Sequence, residues 1–209
     1  MPYDPTTANC YPNSAVLINK LGIRDDRTLM QAESYYSAMR LMELENGIKF
    51  ENVDFDFYLS IHKYLFQDIY DWAGQIRTTN ISKKGTCFCP YEFIRETGEA
   101  IFHKLKHNNY YKDVSERELP SCIAELFDSL NILHPFREGN GRTEKAFISA
   151  LLKNIGYSID FYNCDKDYLT IATIFAAQGV MDHLVDFFAE NIESVSYTHL
   201  RAHETDQYL

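Results

Sequence analysis

The chain has 209 residues, 45% of them hydrophobic, which suits one compact domain that buries a core. Its formal net charge of −10 excludes general affinity for a nucleic-acid backbone, because binding by counterion release needs clustered Lys and Arg. No run approaches about 18 apolar residues, and Met1-Pro2-Tyr3-Asp4 is not the basic start of a secretory signal, so the expectation is a cytoplasmic protein with no membrane partner. The five cysteines, Cys10, Cys87, Cys89, Cys122 and Cys164, are an odd and dispersed set, as expected of reduced thiols. Cys87-x-Cys89 is spaced too closely for the usual zinc pair.

Hydrophobic spacing predicts an all-α fold interrupted by one short hairpin. A first helix opens after Asp25-Asp26, runs through Leu29, Ala32, Tyr36 and Met39, and stops at Asn46-Gly47. A second starts near Asp54 with Phe55, Tyr58, Leu59, His62 and Leu65 on one face, where His62 reads as a hydrogen-bonded histidine in packing. Residues 76–90 are rich in Thr and β-branched residues around Lys84-Gly85, which predicts a hairpin. Two strands alone are marginal, so this hairpin has to lie against the helices as a flap. A helix over 91–107 places His103 and His107 on a solvated face. Ser115-Glu116-Arg117-Glu118 has the pattern of a capping box ahead of Leu119, Ile123, Leu126, Leu130 and Leu133. That core helix is expected to stop at His134, whose successor Pro135 disfavours helical geometry. Another helix begins after Gly141 and ends at Gly156, and two more cover 165–178 and 181–191.

The junction of the two central helices concentrates chemistry. Backbone N–H groups at a helix N-terminus attract phosphate, and Gly139 and Gly141 permit close approach of a ligand, while Asn140 tolerates positive φ. Arg142 and Lys145 lie on one face in the first turns and supply the local positive charge that the acidic chain otherwise lacks. Glu138 beside a phosphate calls for a bridging cation, and Mg²⁺ held by one carboxylate and phosphate oxygens is the usual bridge. His134 is placed to accept a proton near neutral pH, as a general base for an attacking hydroxyl. The spacing matches neither a P-loop nor a dinucleotide fingerprint, so phosphate-ester chemistry is as far as the residues themselves lead.

His134-Pro-Phe-Arg-Glu-Gly-Asn-Gly-Arg142 resembles the signature of the Fic (filamentation induced by cAMP) family, His-x-Phe-x-Asp/Glu-Gly-Asn-Gly-Arg-x-x-Arg. The similarity extends through residues 11–23, 68–77 and 80–83. The resemblance implies a Fic-type helical domain with a hairpin flap, and a protein adenylyltransferase. In that reading His134 deprotonates a Ser, Thr or Tyr hydroxyl of a target protein, which attacks the α-phosphate of ATP. Glu138 would hold Mg²⁺ through phosphate, while Gly139, Asn140, Gly141, Arg142 and Lys145 would bind the nucleotide. Ile81, Ser82, Lys83, Lys84 and Gly85 would clamp the target backbone by strand addition. The alternatives are transfer of another phosphate-containing group, or a nucleotide-binding regulator without transfer.

The final Arg of the signature is Lys145 here, which keeps the charge but loses the planar fork. Family members are restrained by Ser/Thr-x-x-x-Glu-Gly/Asn, whose Glu pairs with that Arg. Asp186 to Asn191 and Leu41 to Asn46 each fit this pattern except at the first position, and both read as ordinary helix. Restraint is therefore expected from a small antitoxin, as in a toxin–antitoxin pair, or from a lost C-terminal helix. Residues 195–205 resemble a translated transposase adapter from DNA library preparation, so the domain organisation is a single domain over 1–193 and a non-native tail over 194–209.

Overall fold

The computed structural model describes residues 9–45, 50, 53–83 and 86–195. Helix α1 is Asp26–Glu45 and α2 is Phe55–Phe66, followed by strands β1 (Ser82–Lys83) and β2 (Thr86–Cys87). Then come α3 (Ile94–His107), α4 (Leu119–Leu133), α5 (Asn140–Asn154), β3 (Tyr157–Ser158), α6 (Lys166–Ala176), α7 (Asp182–Asn191) and β4 (Glu193–Ser194). The predicted helical domain with a hairpin is what the chain forms. Lys84 and Gly85 of the expected flap, and 196–209 of the expected tail, lie outside the described residues.

Local chemistry sets several helix starts. The Asp54 carboxylate accepts the Phe57 N–H at 2.8 Å, and Asp165 accepts from Asp167 and Tyr168, satisfying donors that the first helical turn leaves without carbonyl partners. The predicted capping box behaves differently. The Ser115 hydroxyl donates to the Glu118 carboxylate at 2.6 Å instead of capping a backbone donor, and α4 begins at Leu119 with no side-chain cap. The reason is Pro120: a helix started at Ser115 would need its missing N–H and would press its ring on the carbonyl of Glu116, whereas in the first turn neither cost arises.

Helices α4 and α5 form the centre, with α2 and α3 on one side and α6 and α7 on the other. Tyr58 of α2, Phe102 of α3, and Phe147 of α5 are fully or almost fully buried and interlock, with Phe147 edge-on to Tyr58 at 5.5 Å. Phe136 from the loop between α4 and α5 joins them by stacking on Tyr58 at 5.8 Å. A short second sheet pairs β3 with β4, placing Tyr157 opposite Ser194. Past β4, the Val195 N–H donates to the Gly156 carbonyl at 2.8 Å. No helix among the described residues is long and apolar enough to cross a membrane.

One core position carries an avoidable cost. Glu144 of α5 is buried, its Oε1 has no hydrogen-bond partner, and burial pushes its carboxyl well above the usual range despite the offsetting charge of Lys145. Neighbouring Asp128 adds to the rise. The unfolded chain ionises such a group above about pH 4.3, whereas the fold keeps it protonated, so its contribution is fully present at low pH and is lost as pH rises. Glu144→Gln, neutral at every pH, is expected to unfold at higher temperature than the native chain at pH 7, with the gain shrinking towards pH 4. Equal shifts at both pH values in thermal melts would contradict this account.

Candidate active site

The loop between α4 and α5 is held by hydrogen bonds and ring contacts at His134, Phe136, Glu138, Gly139, Asn140 and Arg142. His134 caps α4 in the left-handed region, φ 42° and ψ 59°, not in the extended geometry expected before proline. Its N–H still closes the helix on Leu130 at 3.1 Å, so the left-handed turn ends α4 without orphaning that donor. The imidazole is 6% exposed and lies flat on Phe88, with ring centroids 3.7 Å apart. Nδ1 is 3.1 Å from the Asn131 carbonyl, which can only accept, so Nδ1 carries the proton and Nε2 is the basic nitrogen.

Arg77 ties this helix end to the hairpin. Its Nε donates to the His134 carbonyl at 2.8 Å, and its terminal nitrogens donate to Thr79 and Cys89, on either side of β1 and β2. The main chain adds Arg77 N–H to Pro135 at 2.9 Å and Cys89 N–H to Ile132 at 2.9 Å. The hairpin therefore flanks His134, with Ile81 buried at its root. The strands are two residues each, far shorter than the Thr-rich span suggested, and pair Ser82 with Cys87 and Lys83 with Thr86.

The stretch expected to bind an anion follows. Gly139, and not Asn140, is the left-handed residue, at φ 83°. A Cβ there would lie 2.5 Å from the Phe66 ring, so only glycine fits. Asn140 begins α5 and is buried, and its side-chain amide both accepts from the Phe136 N–H at 2.9 Å and donates to the Phe136 carbonyl at 2.8 Å. It closes the loop on itself. Gly141 is exposed within the first turn of α5, with open space around its Cα, and the N–H groups of Asn140, Gly141 and Arg142 have no carbonyl one turn earlier to bond. The Gly139 N–H donates to Glu138 Oε1 at 2.9 Å, and Arg142 lies 3.6 Å from the same oxygen.

Arg142 has a second carboxylate that the sequence did not point to. Glu33 of α1, with its side chain 10% exposed, meets Arg142 at 2.7 Å and also accepts from the Tyr70 hydroxyl. The guanidinium further contacts Ser37 and stands 4.6 Å over the Phe66 ring. Burial and the Glu33 charge push the Tyr70 hydroxyl far up. No group of three or more acidic, His or Cys side chains among the described residues could ligate a metal by itself. Glu138 is a single, partly exposed carboxylate at the anion loop, which fits a cation completed by phosphate oxygens and water.

A sequence model of the Fic/DOC family matches residues 52–152. The "Probable protein adenylyltransferase y4lH" of Sinorhizobium fredii is 35% identical over 153 residues, covering 72% of this chain and 78% of that protein. The chain belongs to the Fic/DOC family. "Protein adenylyltransferase VbhT" of Bartonella schoenbuchensis is 33% identical over 87% of this Fic chain, which spans 38% of that protein. Among solved structures, the N-terminal Fic domain of a Bartonella quintana cell filamentation protein with bound ADP superimposes with a TM-score of 0.88 at 27% identity, covering 94% of this chain and 100% of that one. The Bartonella tribocorum BepC protein with bound AMPPNP gives 0.87 at 25% identity, over 92% and 99%.

Within this Fic domain, Lys145 has neighbours unlike those of Arg142. Its Nζ lies 5.7 Å from the Phe161 ring centroid, and burial lowers its pKa. The planar fork that the signature's last Arg would supply is absent, and the side chain packs beside the segment leading into α6. The near-copies of the inhibitory pattern stay ordinary: Asp186 and Glu190 of α7 are exposed, and the side chain of Glu45 falls outside the described residues.

Proposed function

We propose that this chain transfers AMP from ATP to a hydroxyl side chain of a protein. The observation that carries this is the fixed imidazole of His134, whose protonated Nδ1 on Asn131 leaves Nε2 to take a proton, next to the amide-lined start of α5. Support comes from relatives named as adenylyltransferases and from neighbours holding AMPPNP and ADP.

In the reaction, Nε2 of His134 removes the proton from the target hydroxyl while its oxygen forms a bond to the α-phosphorus. The bond from that phosphorus to the bridging oxygen breaks, and pyrophosphate leaves. The N–H groups of Gly139, Asn140, Gly141 and Arg142, with the Arg142 guanidinium, hold phosphate oxygens. Lys145 adds charge beyond that cradle. Glu138 would hold Mg²⁺, which supplies neutralisation of phosphate charge when bound. Ile81, Ser82, Lys83, Lys84 and Gly85 would offer their backbone to the target chain by strand addition. The proposed setting is cytoplasmic, with a small antitoxin as the restraining partner.

Purified protein given α-labelled ATP, Mg²⁺ and bacterial lysate should label a protein band. Unlabelled ATP should compete better than UTP, CDP-choline or GTP. No labelled band, or stronger competition by another donor, would overturn AMP transfer.

A further inference from the structure

We infer that His62 is a positioning residue that aims the Gly139 N–H into the anion site. This rests on the functional reading above only for what binds there. His62 lies in α2, fully buried, with its ring stacked on Phe136 at 3.8 Å and on Phe66 at 4.7 Å. Its Nδ1 receives the Gly74 N–H at 2.8 Å, so Nδ1 must be the bare nitrogen. Nε2 then carries the proton and donates to the Glu138 carbonyl at 2.9 Å. Both nitrogens are used, and burial holds the ring neutral, with its pKa lowered to about 3.

The Glu138 carbonyl and the Gly139 N–H belong to one peptide group. In a planar trans peptide they point in opposite directions. A donor that pulls the carbonyl inwards therefore turns the N–H outwards, to the mouth of the loop where it now meets Glu138 Oε1. Gly139 at φ 83° is the residue about which this plane would otherwise rotate, and glycine offers the least resistance. His62 thus restrains this plane from outside the loop, on the face opposite the Glu138 Oε1 contact. It touches no reacting atom.

Two substitutions separate this role from packing. His62→Gln keeps an N–H donor near the position of Nε2, and His62→Asn keeps an acceptor near the position of Nδ1; both lose the ring. The inference expects the Gly139 amide resonance to stay near its native position in the Gln variant and to move in the Asn variant. It also expects Asn to weaken binding of Mg²⁺–AMPPNP about tenfold more than Gln, equivalent to about 1.4 kcal/mol. Equal nucleotide affinity and equal amide shifts in the two variants would reduce His62 to a packing residue. Should either variant not fold, nitrogen chemical shifts of the native imidazole decide, because the Nδ1–H tautomer would overturn the inference. The amide and tautomer readings need no transfer, so failure of AMP transfer alone is a separate result.

Discussion

His134→Ala is expected to lower labelling of the target by about 10²- to 10⁴-fold, the range for removing a positioned general base, or about 3–5 kcal/mol of barrier. The change should fall on kcat. The imidazole contacts Phe88 and Asn131, whereas the groups proposed to meet phosphate belong to Gly139 and the start of α5, so nucleotide affinity should stay near the native value. Because His134 is also the left-handed residue that ends α4, its replacement carries some backbone cost, and His134→Asn tolerates that geometry better. Both variants should lose transfer and still bind Mg²⁺–AMPPNP in calorimetry. Native-level labelling by either would remove the base from the mechanism. Loss of binding in both would mean that the residue shapes the loop and does not act chemically.

Phe136→Ala is expected to destabilise the fold by about 3–5 kcal/mol, the usual cost of emptying a buried aromatic site. Against a total stability of about 5–15 kcal/mol, that is a large fraction. The ring has no exposure and stacks between His62 and Tyr58, and its backbone is bracketed by both atoms of the Asn140 amide. The loop between α4 and α5 is thus anchored in the core by the aromatic residue at its third position. Urea unfolding of the variant should show a lower midpoint with little change in slope. A loss under about 1 kcal/mol would show that the aromatic cluster repacks around the gap and that the loop is held by other contacts.

Much of this was readable from short-range signals. Asp54 and Asp165 announce helix starts because a capping carboxylate acts on donors two or three residues away, and the helical spacing of Leu119 to Leu133 places α4 in the core. The family was legible for the same reason, since the signature that carries it lies within the single stretch from His134 to Arg142. Ser115 misled because a local pattern competed with Pro120 five residues later. The partners that support the site were not legible. Arg77 meets His134 across 57 residues, His62 meets Glu138 across 76, and Glu33 meets Arg142 across 109, and nothing local marks such partners. Arg77 stood in a segment shared with the family, and that was the one clue to its weight.

The placement of Arg77 has a consequence for how such an enzyme can change. Its three carbonyl partners lie before Ser82 and after Cys87, at the base of the hairpin, and none lies between the paired strands. In the proposed mechanism, chemistry is thereby insulated from recognition: residues joining β1 to β2 can be exchanged for a new partner's shape while the guanidinium keeps His134 where it is. A lineage could diversify its targets at the tip of the hairpin without having to rebuild the base.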